Sequence, residues 1–68
     1  MKMIVTFVHK TLGPFSTNEM DTTPEGVEKW ENILKEGPNN FMIYNDNEIR
    51  IFGKDILKEG YFIIEKTP

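Results

Sequence analysis

Hydrophobic positions recur with two different periods along the chain. Residues 3–8 are apolar or β-branched at both alternating sets of positions, a pattern typical of a strand that is covered on both faces and lies centrally in a sheet. Three later segments, 41–44, 48–52 and 61–65, are rich in aromatic and β-branched residues and predict three more strands. Together these patterns predict a mainly antiparallel sheet of about four strands.

A helical period occurs once, between residues 24 and 36. Thr23 is suited to cap the free N–H groups of a helix, and Pro24 has the backbone angle required at the first helical position. Gly37 supplies a left-handed terminus, and Pro38 prevents the helix from continuing. We therefore expect a helix packed on one face of the sheet through an apolar stripe. The stripe consists of Val27, Trp30, Ile33 and Leu34.

The second and third predicted strands are joined by a turn signal. Residues 45–47 are Asn-Asp-Asn, which tolerate tight-turn geometry, so segments 41–44 and 48–52 are predicted to form a hairpin. Within the second segment Ile49 and Ile51 alternate with charged residues. This alternation predicts that the two isoleucines face the core and the charged residues face solvent.

Two segments have weaker signals. Residues 11–22 lack a clear period and are predicted as a loop, which has room for a short hairpin arm turning at Gly13 and Pro14. Residues 53–60 are bracketed by glycines and accommodate about one helical turn. The chain is thus predicted to be a single α+β domain over residues 1–68, in the order β-α-β-β-β.

Length and composition narrow the class of protein. Chains split into separately packed domains only at several times 68 residues, and an apolar fraction of 38% supplies a small core with little surplus. The absence of cysteine excludes a disulfide framework and a thiolate zinc site. The apolar run at 3–8 is too short for a signal peptide or a membrane span, so we expect a cytoplasmic protein with no membrane partner.

A single histidine is the main candidate for chemistry. Catalysis by His9 would require Ser16 or Thr17 as nucleophile and Glu19 or Asp21 to orient the ring, and no nucleophile motif accompanies these residues. We therefore expect a surface histidine at the end of a strand and no catalytic residue. A small hydrolase centred on His9 is the least favoured hypothesis, and no metal or cofactor site is predicted.

Charge argues against nucleic acid as a partner. The net charge is −3 and the isoelectric point is near 5.0, whereas phosphate binding requires a basic surface. The five glycines are scattered and form no phosphate-binding turn. Aromatic rings on the predicted strands offer a stacking surface for bases, but a chain this short needs them in its core.

Negative charge is concentrated in residues 19–36. This segment carries six carboxylates and two lysines, a net charge of −4. If the helix packs through its apolar stripe, the carboxylates face solvent, where they either attract a basic partner surface or only keep a small protein in solution. If they attract a partner, the candidate binding residues combine apolar residues of the 11–22 segment with these carboxylates. They are Leu12, Phe15, Glu19, Asp21, Glu25 and Glu28.

One helix covers only one face of a four-stranded sheet. Segments 3–8 and 61–64 are apolar on both faces, so one apolar face is left over. Exposing each large side chain forfeits roughly 1.5–3 kcal/mol, which favours a second copy covering that face in a homodimer. The competing solution is that Leu12, Phe15 and Met20 fold back over the same face within one chain.

These observations favour a small non-enzymatic protein-binding module that acts on another protein and forms a homodimer. Its size and its Lys-, Ile- and Asn-rich composition resemble those of short accessory proteins of bacteriophages and low-GC bacteria. The resemblance involves no motif and implies only an accessory or inhibitory role on a host protein. The alternative is an oligomer that binds a nucleotide or another small molecule at sites between subunits.

Overall fold

Strand β1 (Lys2–His9) lies at the centre of an antiparallel sheet in the computed structural model, which describes all residues from Met1 to Pro68. One edge of β1 pairs along its whole length with β6 (Gly60–Thr67). Its other edge pairs with two short strands in succession, β2 (Gly13–Ser16) and β3 (Met20–Asp21). The central position predicted for residues 3–8 is confirmed.

The remaining elements form a second layer. A hairpin of β4 (Asn40–Tyr44) and β5 (Ile49–Gly53) makes a separate two-stranded sheet, accompanied by α1 (Pro24–Glu36) and the single turn α2 (Lys54–Leu57). The molecule measures 31 × 30 × 17 Å along its principal axes, which is two layers thick. The buried apolar residues between the layers are Met3, Val5, Phe7, Val27, Phe41, Ile43 and Leu57.

The α+β class is confirmed, with a four-stranded antiparallel sheet and one long helix. The composition of that sheet differs from the prediction, because the hairpin is a separate sheet and its place beside β1 is taken by β2 and β3. Both short strands lie in the segment predicted as a loop. The predicted turn at Gly13 and Pro14 is wrong: the chain reverses at residues 10–12, and Gly13, with φ of 91°, begins β2 opposite His9.

The helix begins and ends where the sequence predicts. The Thr23 side chain accepts a hydrogen bond from the Gly26 N–H at 3.1 Å, and Gly37 adopts φ of 84° and donates to the Leu34 carbonyl. Of the predicted apolar stripe, Val27 is buried and Trp30 and Leu34 are half-buried against the core.

Ile33 does not belong to the buried stripe and is 53% exposed. Val27, Trp30 and Leu34 are spaced by three and four residues and share one side of the helix, whereas Ile33 lies about 100° around the axis from Leu34. The helix therefore leaves one large apolar side chain in solvent.

The predicted hairpin is confirmed, but its predicted faces are wrong. Tyr44 pairs with Ile49, and the turn closes with a hydrogen bond from the Asn45 N–H to the Glu48 carbonyl. Ile49 and Ile51 are 57% and 67% exposed. The physical reason is the register. Phe41 is buried and its cross-strand partner Phe52 faces the core, so Ile51 and Ile49, at the alternate positions of β5, point outward.

A close approach between β6 and β1 depends on Gly60. A β-carbon at this position would lie 2.3 Å from the Val8 carbonyl oxygen and 2.6 Å from the Phe7 ring. By contrast, a β-carbon at Gly53, whose φ is −79°, would meet no atom within 4 Å.

Gly60→Ala is expected to destabilise the fold by about 3 kcal/mol, the upper end of overpacking costs, because backbone atoms cannot move aside as a side chain can. The matched Gly53→Ala change is expected to alter stability by less than about 0.5 kcal/mol. Chemical denaturation of both variants measures the difference. Equal midpoints would show that β6 does not approach β1 this closely.

Candidate interaction surfaces

The single histidine is buried, and its ring is hydrogen-bonded to the turn that follows it. His9 is only 7% exposed, so the predicted surface position is wrong. Its Nδ1 accepts hydrogen bonds from the N–H groups of Thr11 at 3.2 Å and Leu12 at 3.1 Å. The ring therefore serves as an acceptor for the backbone between β1 and β2.

The predicted nucleophiles do not face this ring. Ser16 lies opposite Thr6 and shares a hydrogen bond of 2.7 Å with it, on the face of the sheet away from His9. The Thr17 hydroxyl accepts a hydrogen bond from the Val5 N–H. Side chains alternate across a strand, so Ser16 and the imidazole lie on opposite faces, and Thr17 is held beside Val5, four residues along β1 from His9.

No three His, Cys, Asp or Glu side chains lie close enough together to hold a metal ion. Every buried side-chain nitrogen or oxygen has a hydrogen-bond partner. The helices are also too short and too polar to cross a bilayer.

The six candidate binding residues lie on more than one surface. Leu12 is exposed in the turn at one end of β1, and Asp21 lies opposite Lys2 at the other end, about 23 Å away along the strand. Phe15 is half-buried, with its ring 4.9 Å from that of Phe52. Phe15 thus contributes to the core, and its replacement would affect folding as well as binding.

The acidic candidates lie nearer to one another than to Leu12. Glu19 and Asp21 flank Met20 of β3, and Glu25 and Glu28 follow in the first two turns of α1. All four are exposed, and Glu25 and Glu28 have no ion-pair partner. The helix therefore presents free carboxylates at its N-terminal end.

Asp21 is partly neutralised by an ion pair. The Lys2 ammonium donates a hydrogen bond to its carboxylate, and this hydrogen bond, together with the charge of Lys2, holds the pKa of Asp21 below its ordinary value of 3.8. The same contact raises the pKa of Lys2 above 10.5. Both side chains are largely solvated, so the contact is weak as a source of stability.

One face of the large sheet has no covering element. The side chains of β1 that point away from the core are flanked by those of β6, where Tyr61 is 60% and Ile63 is 40% exposed. Phe15 and Met20 pack on the core side of the sheet, so the 11–22 segment does not cover this face. We call it the open sheet face, formed by Ile4, Thr6, Val8, Tyr61 and Ile63, with the exposed Glu65 opposite Ile4.

A second apolar surface lies on the opposite side of the molecule. The outward residues of the hairpin form two cross-strand pairs, Met42 with Ile51 and Tyr44 with Ile49. All four are exposed. Sequence reasoning missed this outer hairpin face, although 41–44 carries apolar residues on both alternating sets and so already indicated a hairpin that is apolar on two sides.

A groove of about 700 Å³ runs between the C-terminal half of α1, the turn α2 and the start of β6. Four apolar side chains line its base: Leu34, Leu57, Phe62 and Ile64. Lysines lie along its rim, and two of them, Lys54 and Lys58, belong to α2 and its C-terminal cap. We call this feature the edge groove.

Comparison of the chain with family models, with curated proteins and with solved structures returns no match.

The ion pair between β1 and β3 predicts a pH effect. Because the folded-state pKa of Asp21 is below 3.8, the contribution of this contact to stability is present above that pH and is lost as pH falls through the lower folded value. Lys2→Met should return the carboxyl titration of Asp21, followed by carbon-detected NMR, toward its ordinary value, whereas Lys29→Met should not. A titration unchanged by Lys2→Met would contradict the ion pair.

Proposed function

We propose that this chain is a non-enzymatic protein-binding module that works as a homodimer. The observation that supports this proposal is the pair of uncovered apolar surfaces, the open sheet face and the outer hairpin face, on opposite sides of a molecule that is 17 Å thick. Contiguous apolar patches of several hundred Å² on a small protein are typical of interaction sites.

The open sheet face is the surface that we assign to a second copy. It is three strands wide, and on its central strand Ile4 and Val8 are half-buried, while Thr6 between them is buried. Two such faces related by a two-fold axis would pack as a sandwich with the sheets about 10 Å apart. An isologous contact of this kind covers the same residues in both copies, so the open sheet face is covered in each of them.

The outer hairpin face is the surface that we assign to a different protein. Its Tyr44 belongs to the residue type most often found at energetically dominant contacts, and its Met42 adapts its shape to a partner. The free carboxylates of Glu25 and Glu28, at the N-terminal end of α1, are a separate feature that would attract a basic surface. An accessory or inhibitory role on a host protein is one form that such binding would take.

The alternative function, binding of a nucleotide or another small molecule at sites between subunits, has one observation in its favour. The edge groove has a volume in the usual range of ligand pockets. However, its charged groups are lysines and glutamates at the surface, and no unpartnered buried polar group points into it. We therefore place this function second.

Light scattering tests the homodimer. We expect a mass twice the 8.0 kDa of one chain at micromolar concentration. Ile63→Lys, which introduces a charge into the open sheet face, should reduce the mass to that of one chain, and Ile51→Lys on the outer hairpin face should leave it unchanged. A wild-type mass of one chain at every concentration would contradict the dimer.

The same two variants test partner binding in the opposite sense. A protein captured from a bacterial lysate by the wild type should be retained by Ile63→Lys and lost with Ile51→Lys, because only the second change lies on the outer hairpin face. Quantitative mass spectrometry of the captured fractions measures this. Native mass spectrometry of an oligomer with a bound small molecule, and no captured protein, would instead favour the alternative function.

A further inference from the structure

Strand β6 has one edge without a partner. It pairs with β1 only, and no backbone hydrogen bond joins its other edge to the rest of the chain. An unpaired edge presents N–H and C=O groups in the geometry that another extended segment requires. This edge is eight residues long, enough for a strand of ordinary length to add to it.

The ladder determines which groups are free. The backbone N–H of Lys10 donates to the Glu59 carbonyl at 3.0 Å. Hydrogen-bonded positions recur at every second residue of an antiparallel pair. The residues in step with Glu59 therefore bond to β1, and those between them direct their N–H and C=O groups to the free edge. The free groups belong to Phe62, Ile64 and Lys66.

The edge groove lies beside these free groups. The side chains of Phe62 and Ile64 point to the core side of the sheet and form part of the groove, and α1 lies beyond them with Leu34. A segment added to β6 would place every second side chain over this apolar base. The groove therefore offers side-chain contacts to the same segment that the free edge would hydrogen-bond.

Charge is unequally distributed along the groove. Lys35 forms an ion pair with Glu31 at 3.5 Å, and the unpaired Glu36 at the end of α1 also lines the groove. Lys54 and Lys58 have no acidic partner within ion-pair distance. The two unpaired ammonium groups lie at the end formed by α2. A carboxylate is the complementary group for that end of the groove.

We infer that the edge groove binds an extended segment of a partner protein, which adds as a strand to β6. The segment carries apolar side chains at alternate positions and a carboxylate at the α2 end. This inference rests on the proposed protein-binding function and adds a second contact surface to the outer hairpin face, with a stated class of partner segment. Strand addition of this type obtains affinity from main-chain hydrogen bonds and specificity from the alternate side chains.

A second copy of β6 fits the groove less well. Paired antiparallel, it would present the side chains of Phe62, Ile64 and Lys66 to the groove, because the two-fold axis keeps the core sides of both sheets together. Phe62 and Ile64 are already packed in their own core, and Lys66 would bring a further positive charge toward Lys54 and Lys58. The charge of the groove thus favours an acidic segment over the chain's own last strand.

The test uses the full chain and a random library of extended peptides of about seven residues displayed on phage. We expect selected peptides to carry apolar residues at alternate positions and an acidic residue near one end. A labelled selected peptide then serves as the probe for titrations. Lys66→Pro removes a free edge N–H that β1 does not use, and it should weaken binding by about tenfold or more. Lys66→Ala removes the same charge but keeps the N–H, and it should leave the affinity within about twofold.

A second pair of variants tests the charge. Lys58→Glu should weaken binding of the acidic peptide by about fivefold or more, whereas Lys29→Glu, the same change on the exposed side of α1, should have little effect. Thermal denaturation of all four variants checks that each is folded. A loss of binding that follows unfolding is separated in this way from a loss at the edge.

Three outcomes would overturn the inference. The first is that no peptide is selected, and the second is that the affinity of the selected peptides is unchanged by both Lys66→Pro and Lys58→Glu. The third is that Lys66→Pro lowers the mass of the wild-type dimer to that of one chain, which would assign the edge to a second copy. If a partner captured from lysate is retained by Lys66→Pro but lost with Ile51→Lys, this inference fails and the proposed function stands. If neither the wild type nor any variant captures a partner, the proposed function fails.

Discussion

The pairing of β1 on both of its edges is the constraint on which the rest of the structure depends. All backbone groups of this strand are directed to β6 on one side or to β2 and β3 on the other. One alternating set of its side chains, with Phe7 fully buried, then defines the core side. The Phe7 ring lies 5.7 Å from that of Phe52 and 5.3 Å from that of Phe62, so it joins both layers.

The 68 residues form two layers. Once α1 and the hairpin cover the core side of β1, no element remains for the other side of the large sheet or for the outside of the hairpin. The apolar residues there are consequences of strands that are apolar on both alternating sets. The proposed partner binding and self-association would each cover apolar residues that the chain itself leaves exposed.

Local signals account for the parts of the fold that the sequence predicts well. Thr23 and Gly37 specify the ends of α1 through contacts within four residues, and the Asn-rich turn specifies the hairpin. The parts that it misses depend on distant partners. Strands β2 and β3 have four and two residues and exist because β1 offers an edge. The outward direction of Ile51 likewise follows from the burial of Phe41 on the neighbouring strand.

The surfaces were predictable only in part for the same reason. An excess apolar face is visible in the alternation of residues 3–8, but which face stays open depends on the side that the second layer takes. The edge groove is built from three elements that are distant in sequence, and no spacing within one of them indicates it. His9 also shows this limit, since its acceptor role arises only when the chain reverses after β1.

The ladder between β1 and β6 joins the first strand of the chain to the last, with Lys2 opposite Thr67. At a synthesis rate of about 5–20 residues per second, β1 waits roughly 3–12 s on the ribosome for this neighbour. During that time the helix and the hairpin can form, because their contacts are local. One edge of β1 stays unpaired. Pairing of segments so distant in sequence is slower than formation of local contacts, so β1 keeps one edge open to another chain until β6 has been synthesised.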